Sequence, residues 1–264
     1  MTELNEEFNP EPPAGRSSGE APQMSEIETV TSIFFEPGRV FEDLRRKPRF
    51  IIGMVIIALL VTGYTFGLYY KVGDTGMRRF INEQIDKSPQ ASAMSPEQKK
   101  GAVDMQMTIQ SGVRYGMPVL VVIGLFIGGL IYFLGTKAFG GDGGFLHSLS
   151  VWIYSFIPPT VLGMIANFIV MALKSTDEID IAASQRGLLQ ANPAFLIDGK
   201  AHPILATLIG TLDLFMIWGW VLAAIGLRIT NRLSSGSAWA VVIIVGVIGL
   251  LFRLVGAIFT GNPG

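Results

Sequence analysis

The chain has 264 residues, 50% hydrophobic and 16% charged, with a formal net charge of −1. A soluble domain usually carries about 25% charge; here the charges crowd into residues 1–49, 71–114 and 174–200, a segregation that fits a bilayer, whose core penalises charge. No basic patch interleaved with aromatics points to nucleic acid, and the lack of cysteine excludes disulfides, thiolate metal sites and a cysteine nucleophile.

Residues 1–24 read as a disordered acidic tail, with Glu3, Glu6, Glu7, Glu11 and Glu20 around Pro10, Pro12 and Pro13. Such a tail buries too little apolar surface to offset its ordering entropy. It does not resemble a cleavable signal peptide, so the first apolar run, near Phe50, is expected to act as the targeting signal.

Residues 25–49 predict two short amphipathic helices. Ser25 and Glu28 have capping-box spacing. Val30, Ile33 and Phe34 follow, then a Pro37-Gly38 break, then Val40, Phe41 and Leu44. The cations Arg45, Arg46, Lys47 and Arg49 stand beside the first span. Apolar residues on one face with cations next to a span suit a helix on an anionic membrane surface. They equally suit helices packed on the cytoplasmic face of a bundle, and the two readings are compatible. Phe34, Phe41, Arg45, Arg46, Lys47 and Arg49 are therefore the candidate membrane-surface or partner contacts.

Residues 50–264 read as the membrane domain. About 20 apolar residues cross a bilayer as a helix, which places spans at about 50–70, 116–138, 148–173, 203–227 and 237–259. Lys and Arg near the span ends set orientation. Arg45, Arg46, Lys47 and Arg49, then Lys137, then Arg228 and Arg232 fall on one side if the N-terminus is cytoplasmic and the C-terminus outside. The segment 71–114 opposes this with seven cations of its own, among them Arg78, Arg79 and Arg114. Within it, Ser95-Pro96-Glu97-Gln98 marks a helix start, and 75–87 predicts a shorter helix. In 174–201, Ser175 and Glu178 open an expected interfacial helix that Asn192-Pro193 ends.

Several strings resemble a known family. Phe34-Phe35-Glu36-Pro37-Gly38-Arg39-Val40-Phe41 runs into Arg45-Arg46-Lys47-Pro48-Arg49-Phe50. Leu134-Gly135 leads through Gly140-Gly141-Asp142-Gly143-Gly144-Phe145 to Trp152-Ile153-Tyr154-Ser155-Phe156-Ile157-Pro158. Asn192-Pro193-Ala194-Phe195-Leu196 and Leu212-Asp213-Leu214-Phe215-Met216-Ile217-Trp218 follow. In order and spacing, over roughly residues 30–260, they resemble prokaryotic membrane proteins of the Yip-domain (Ypt-interacting protein) family. The resemblance implies an all-α, polytopic, five-transmembrane-helix bundle with a cytoplasmic N-terminus, in a bacterial inner or plasma membrane. It implies structural roles for Tyr154 and Pro158 of the family's Gly-Tyr…Pro signature, although Ile153 stands where glycine is usual. Eukaryotic members bind Rab-type GTPases and shape membranes. Their acidic-Leu-Gly-Pro signature is not evident here, so GTPase binding is not implied.

Polar residues inside the spans are the remaining candidates. A membrane-centre acid is expected to be paired, neutral or facing water. At 1.5 Å per residue, Asp213 lies about 15 Å and Arg253 about 9 Å below the outer surface. Asn167 falls at a similar depth to Arg253, so the three predict either a polar cavity opening outward or an interhelical clamp. Gly124 and Gly128, with Gly129, allow close packing, within the monomer or in a dimer seam. Pro158-Pro159 is expected to kink or break its span. Gly140–Gly144 lacks the Lys-Ser/Thr of a Walker motif and reads as a tight, flexible turn. His147 and His202 are expected on opposite sides, unsuited to a shared metal. No Ser-His-Asp set or spaced carboxylate pair appears. The expectation is a protein without enzymatic chemistry, metal or cofactor. Its partners are the lipid bilayer and other membrane proteins or a second copy. Its role is membrane organisation or partner recruitment; a small channel or transporter is the alternative.

Overall fold

The computed structural model describes residues 21–86, 88, 91–184, 187–189, 191–199 and 201–260. Most of the expected acidic tail, residues 1–20, lies outside the described residues.

Two short helices come first, α1 (Glu26–Ser32) and α2 (Pro37–Arg46). Ser25 and Glu28 close the predicted capping box on α1, and Pro37 opens α2, where a missing N–H costs nothing. The membrane helices are α3 (Ile51–Asp86), α4 (Pro96–Ala138) and α5 (Phe145–Leu173). A single-turn helix, α6 (Ile181–Ser184), lies in the next connection. Then come α7 (Pro203–Gly210), α8 (Leu214–Thr230) and α9 (Ser235–Thr260). Among the described residues, α3, α4, α5 and α9 are each long and apolar enough to cross a membrane. The pair α7–α8, bent by 45°, makes a fifth span if taken together. The chain is thus an all-α, multi-pass membrane protein.

Helix α5 is the central element. It packs against α2, α3, α4 and α8, and Leu149, Val151, Ile153, Tyr154 and Ile157 on it are fully buried. One end of the bundle gathers α1–α2 and the turns 139–144 and 231–234. The other end carries the outer parts of α3 and α4 and the described residues of the segment 174–201. Lys137, Arg228 and Arg232 thus share an end with Arg45–Lys47, the grouping that the charge rule requires.

The structure corrects several expected boundaries. The shorter helix expected at 75–87 is present: Gly73, at φ 71° and ψ 173°, leaves the helical region and divides α3 there into two helical parts. The helix that starts at Pro96 is the same helix as the second span, with Ser95 and Gln98 forming its capping box. At 1.5 Å per residue, α4 reaches about 64 Å, well past a hydrocarbon core of about 30 Å. Pro158-Pro159 does not break α5, which is helical throughout Phe145–Leu173. Membrane helices tolerate proline where neighbours re-satisfy the freed backbone. Both prolines are buried, and Pro159 packs beside Gly219 of α8. The helix expected after Ser175 is only a 3-10 turn, Thr176–Glu178, followed by α6. Its capping box is present, and the Ser175 backbone and hydroxyl donors hold the Glu178 carboxyl below the usual range.

Candidate functional site

Three polar loci emerge, two at the α1–α2 end and one in the broken span.

The first is the α1–α2 cap. Ile33, Val40, Phe41 and Leu44 are fully buried. Phe41 enters a notch on α8 that exists because position 226 is glycine: a Cβ there would lie 2.8 Å from the Phe41 ring and 2.7 Å from Val151. Thr230 Oγ1 donates to the Phe41 carbonyl at 3.1 Å, and His147 Nε2 lies 3.2 Å from the Arg45 carbonyl. The apolar face of α2 is therefore spent on the bundle. Arg49 is buried too. It forms an ion pair with buried Asp43 and donates to the Met24 carbonyl at 2.7 Å, while Gln23 N donates to Asp43 at 2.5 Å. Of the candidate contacts, Phe41 and Arg49 thus lie inside the protein and do not reach a bilayer or partner here. Phe34, Arg45 and Arg46 are half-buried and Lys47 is exposed. Sequence reasoning did not single out Phe35 and Ile27, which are 87% and 72% exposed.

The second locus surrounds Asn231, fully buried at the end of α8. Its Nδ2 donates to Thr136 Oγ1 at 3.0 Å and Ser148 Oγ at 2.7 Å, and its carbonyl accepts from Asp142 N at 3.1 Å. The glycine turn wraps this side chain: a Cβ on Gly143 would lie 2.4 Å from Asn231 Nδ2. The stretch expected to be a flexible turn is packed because its glycines let the backbone close on an asparagine. No sequence signal marked Asn231.

The third locus is the expected intramembrane cluster, which the structure divides. Asn167 is buried, but its Oδ1 accepts from Leu188 N and Leu189 N at 2.5 and 2.9 Å and its Nδ2 donates to Gly163 O at 2.7 Å. It clamps the 187–189 segment, and Tyr64 holds the end of α6 by donating to Ser184 O at 2.7 Å. Asp213 sits instead at the break between α7 and α8. It is the N-cap of α8, its Oδ1 accepting from Phe215 N at 2.9 Å and Met216 N at 3.2 Å. Asn192 Nδ2 reaches its other oxygen at 3.3 Å, and Leu214 N donates to Ala191 O at 3.1 Å. The loop around Asn192-Pro193 is thus docked into the break. The Arg253 guanidinium comes to the same place, 3.8 Å from where a Cβ on Gly210 would stand. Asp213 and Arg253 share a neighbourhood; Asn167 belongs elsewhere.

This geometry separates charge from capping at Asp213. Asparagine caps a helix as well as aspartate, while alanine loses about 1 kcal/mol. Asp213→Asn is expected to leave thermal stability in detergent nearly unchanged, and Asp213→Ala to lower it by about 1 kcal/mol. Equal losses from both would show that the charge, not the cap, is what the site uses.

Tyr154 and Pro158 are both buried on α5. Ile153 stands where the family signature has glycine, and the close approach is supplied from the other side. A Cβ on Gly53 of α3 would lie 2.7 Å from Ile153 Cγ2.

The chain is 25% identical, over 258 residues, to the protein named "Membrane protein YknW" of Bacillus subtilis (strain 168), an alignment covering 94% of this chain and 97% of that one. No solved structure matches. The Yip1 domain family matches residues 31–256, the stretch from α1 into α9 that holds the second and third loci and α2 of the first, and the protein belongs to that family.

Proposed function

We propose that this Yip1-family membrane protein acts without enzymatic chemistry, organising lipid or recruiting a partner at its α1–α2 end. The charge rule makes that end cytoplasmic, leaving the C-terminus outside. The observation that carries the reading is the cap itself. Its inner face is fixed to α8 and α5, while its outer side presents Phe35 and Ile27 on the same short segment as Arg45, Arg46 and Lys47. A rigid element with exposed apolar side chains and cations is suited to anionic headgroups or to an acidic partner.

A second reading rests on the broken α7–α8 span. Discontinuous helices with polar groups at the break line the sites of many transporters. Against it, the Asp213 oxygens are occupied by the α8 cap and by Asn192.

Reconstitution into vesicles of mixed phosphatidylethanolamine and phosphatidylglycerol separates the two. The cap reading expects an altered vesicle size distribution, lost in the Arg45→Ala/Arg46→Ala/Lys47→Ala variant and in Phe35→Ser, with no solute flux. Flux that Asp213→Asn abolishes, with vesicle size unaffected by the cap variants, would replace it with the transport reading.

A further inference from the structure

Helix α4 has one face that neither water nor its own chain accounts for. Its first part stands outside the bilayer. Arg114 closes that part, its guanidinium 3.3 Å from the Tyr69 ring centroid. Above it the pairs Arg78–Asp104 at 2.6 Å and Lys99–Asp86 at 2.7 Å tie α4 to α3. Val103 is buried there against Met77 and Ile81. A helix in water carries polar and charged residues opposite its buried face.

Here α4 departs from that pattern. Opposite Val103, at helical spacing, the outward line runs Gly101, Met105, Thr108, Gly112 and carries no charge. Met105 and its neighbour Ile109 are 65% and 48% exposed. A Cβ on Gly101, Gly112 or Gly116 would meet nothing within 4 Å. The same line continues into the bilayer without a step, as Val119, Ile123, Ile127 and Leu130, all exposed.

We infer that this line is the seam of a parallel, two-fold homodimer, α4 against α4 of a second copy. Lipid can cover the inner stretch but not Met105 and Ile109, so the outer stretch needs protein. Because the line is continuous, its partner must be a helix that both crosses the membrane and rises well beyond it. The α4 of a second copy, inserted in the same orientation, is such a helix. Two-fold symmetry sets each residue near its own copy, where like charges would repel; a line without charge meets that condition. Gly112 and Gly116, four apart, let the two backbones approach. From Gly101 to Leu130 the strip is about 44 Å long and one helix diameter of about 10–12 Å wide, so it covers about 480 Å² per copy, the size of a small interface.

The cysteine-free chain allows a direct test in native membranes. Met105→Cys and Ile109→Cys are oxidised with copper phenanthroline beside Lys100→Cys and Glu83→Cys, exposed positions off the line. Seam positions are expected to give a product of twice the chain mass, and the others none. Adding Gly112→Leu and Gly116→Leu to Met105→Cys should lower its yield roughly tenfold. The level of inserted protein should hold, since leucine there has open space around it. Any of four outcomes overturns the seam: no product, equal product at all four positions, a product of another mass, or a yield indifferent to the leucines.

Discussion

Arg49→Leu is expected to lower stability by about 3–5 kcal/mol, because it strands a buried carboxylate without its partner. Asp43 is 1% exposed and Arg49 7%, so neither has water to fall back on. The guanidinium also holds the Met24 carbonyl, and Asp43 holds the Gln23 amide. Losing the cation therefore frees the segment that leads into α1. Asp43→Leu should cost a similar amount by the mirror argument. The double variant Asp43→Leu/Arg49→Leu should recover much of the loss, since a buried ion pair replaced by apolar groups is often neutral. Thermal unfolding of the three variants in detergent gives the cycle. Additive losses would mean that the two residues act separately and that the pair does not hold the cap.

That pair matters for function because it decides which surface of the cap is on offer. With Arg49 turned inward and Phe41 seated in the Gly226 notch, a substitution at either position reports on folding. Phe35 and Lys47 report on contact. A loss of activity in Phe41 variants would thus not distinguish a recruiting surface from a misfolded one, whereas a loss in Phe35→Ser would.

The segregation of charge marked five apolar stretches whose centres fall inside observed helices; four of these helices are each long enough to cross a membrane, and the bent pair α7–α8 makes a fifth if taken together. What stayed hidden was where helices continue or stop. Charge marks the edge of a bilayer, not the end of a helix, so α4 runs past its apolar stretch as an amphipathic extension. Pro158-Pro159 read as a kink or a break because propensity describes an isolated helix; α5 runs unbroken through both prolines, packed against its neighbours. The real break at 211–213 was disguised by the apolar residues around it. Asp213 was read as a membrane acid, although an aspartate ahead of an apolar run is also an N-cap signal. Of the candidate residues, the sequence placed Asp213 and Arg253 near one another but could not show that Asn167 turns to a different loop. That depends on the path of 187–189, for which there is no periodic signal. The quoted family strings were informative in a way that became visible only in three dimensions. Asn192-Pro193 docks on Asp213, and the glycine turn closes on Asn231. The N-terminal string packs on α5 and α8.

Gly128→Ala and Gly129→Ala are each expected to cost about 1–3 kcal/mol by overpacking the α4–α5 crossing, while Gly124→Ala, one turn away, should be nearly neutral. A Cβ on Gly128 would lie 2.1 Å from the Trp152 ring. That ring has little room to swing, with Tyr132 and Phe156 at 4.8 and 4.7 Å between centroids. A Cβ on Gly129 would lie 2.9 Å from the Leu149 Cα, so relief requires the helices to part. Around Gly124 there is nothing within 4 Å, and alanine is the better helix former. The spacing Gly124-xxx-Gly128 thus joins one residue packed inside the monomer to one left open, and the sequence pattern alone cannot tell them apart. Denaturation of the three variants in detergent tests this. If Gly124→Ala loses as much as Gly129→Ala, close approach of α4 to α5 is not what orients α4, and the line from Gly101 to Leu130 has no fixed outward direction. If only Gly128 and Gly129 are sensitive, α4 is held by one face and its opposite face is free to meet a second copy.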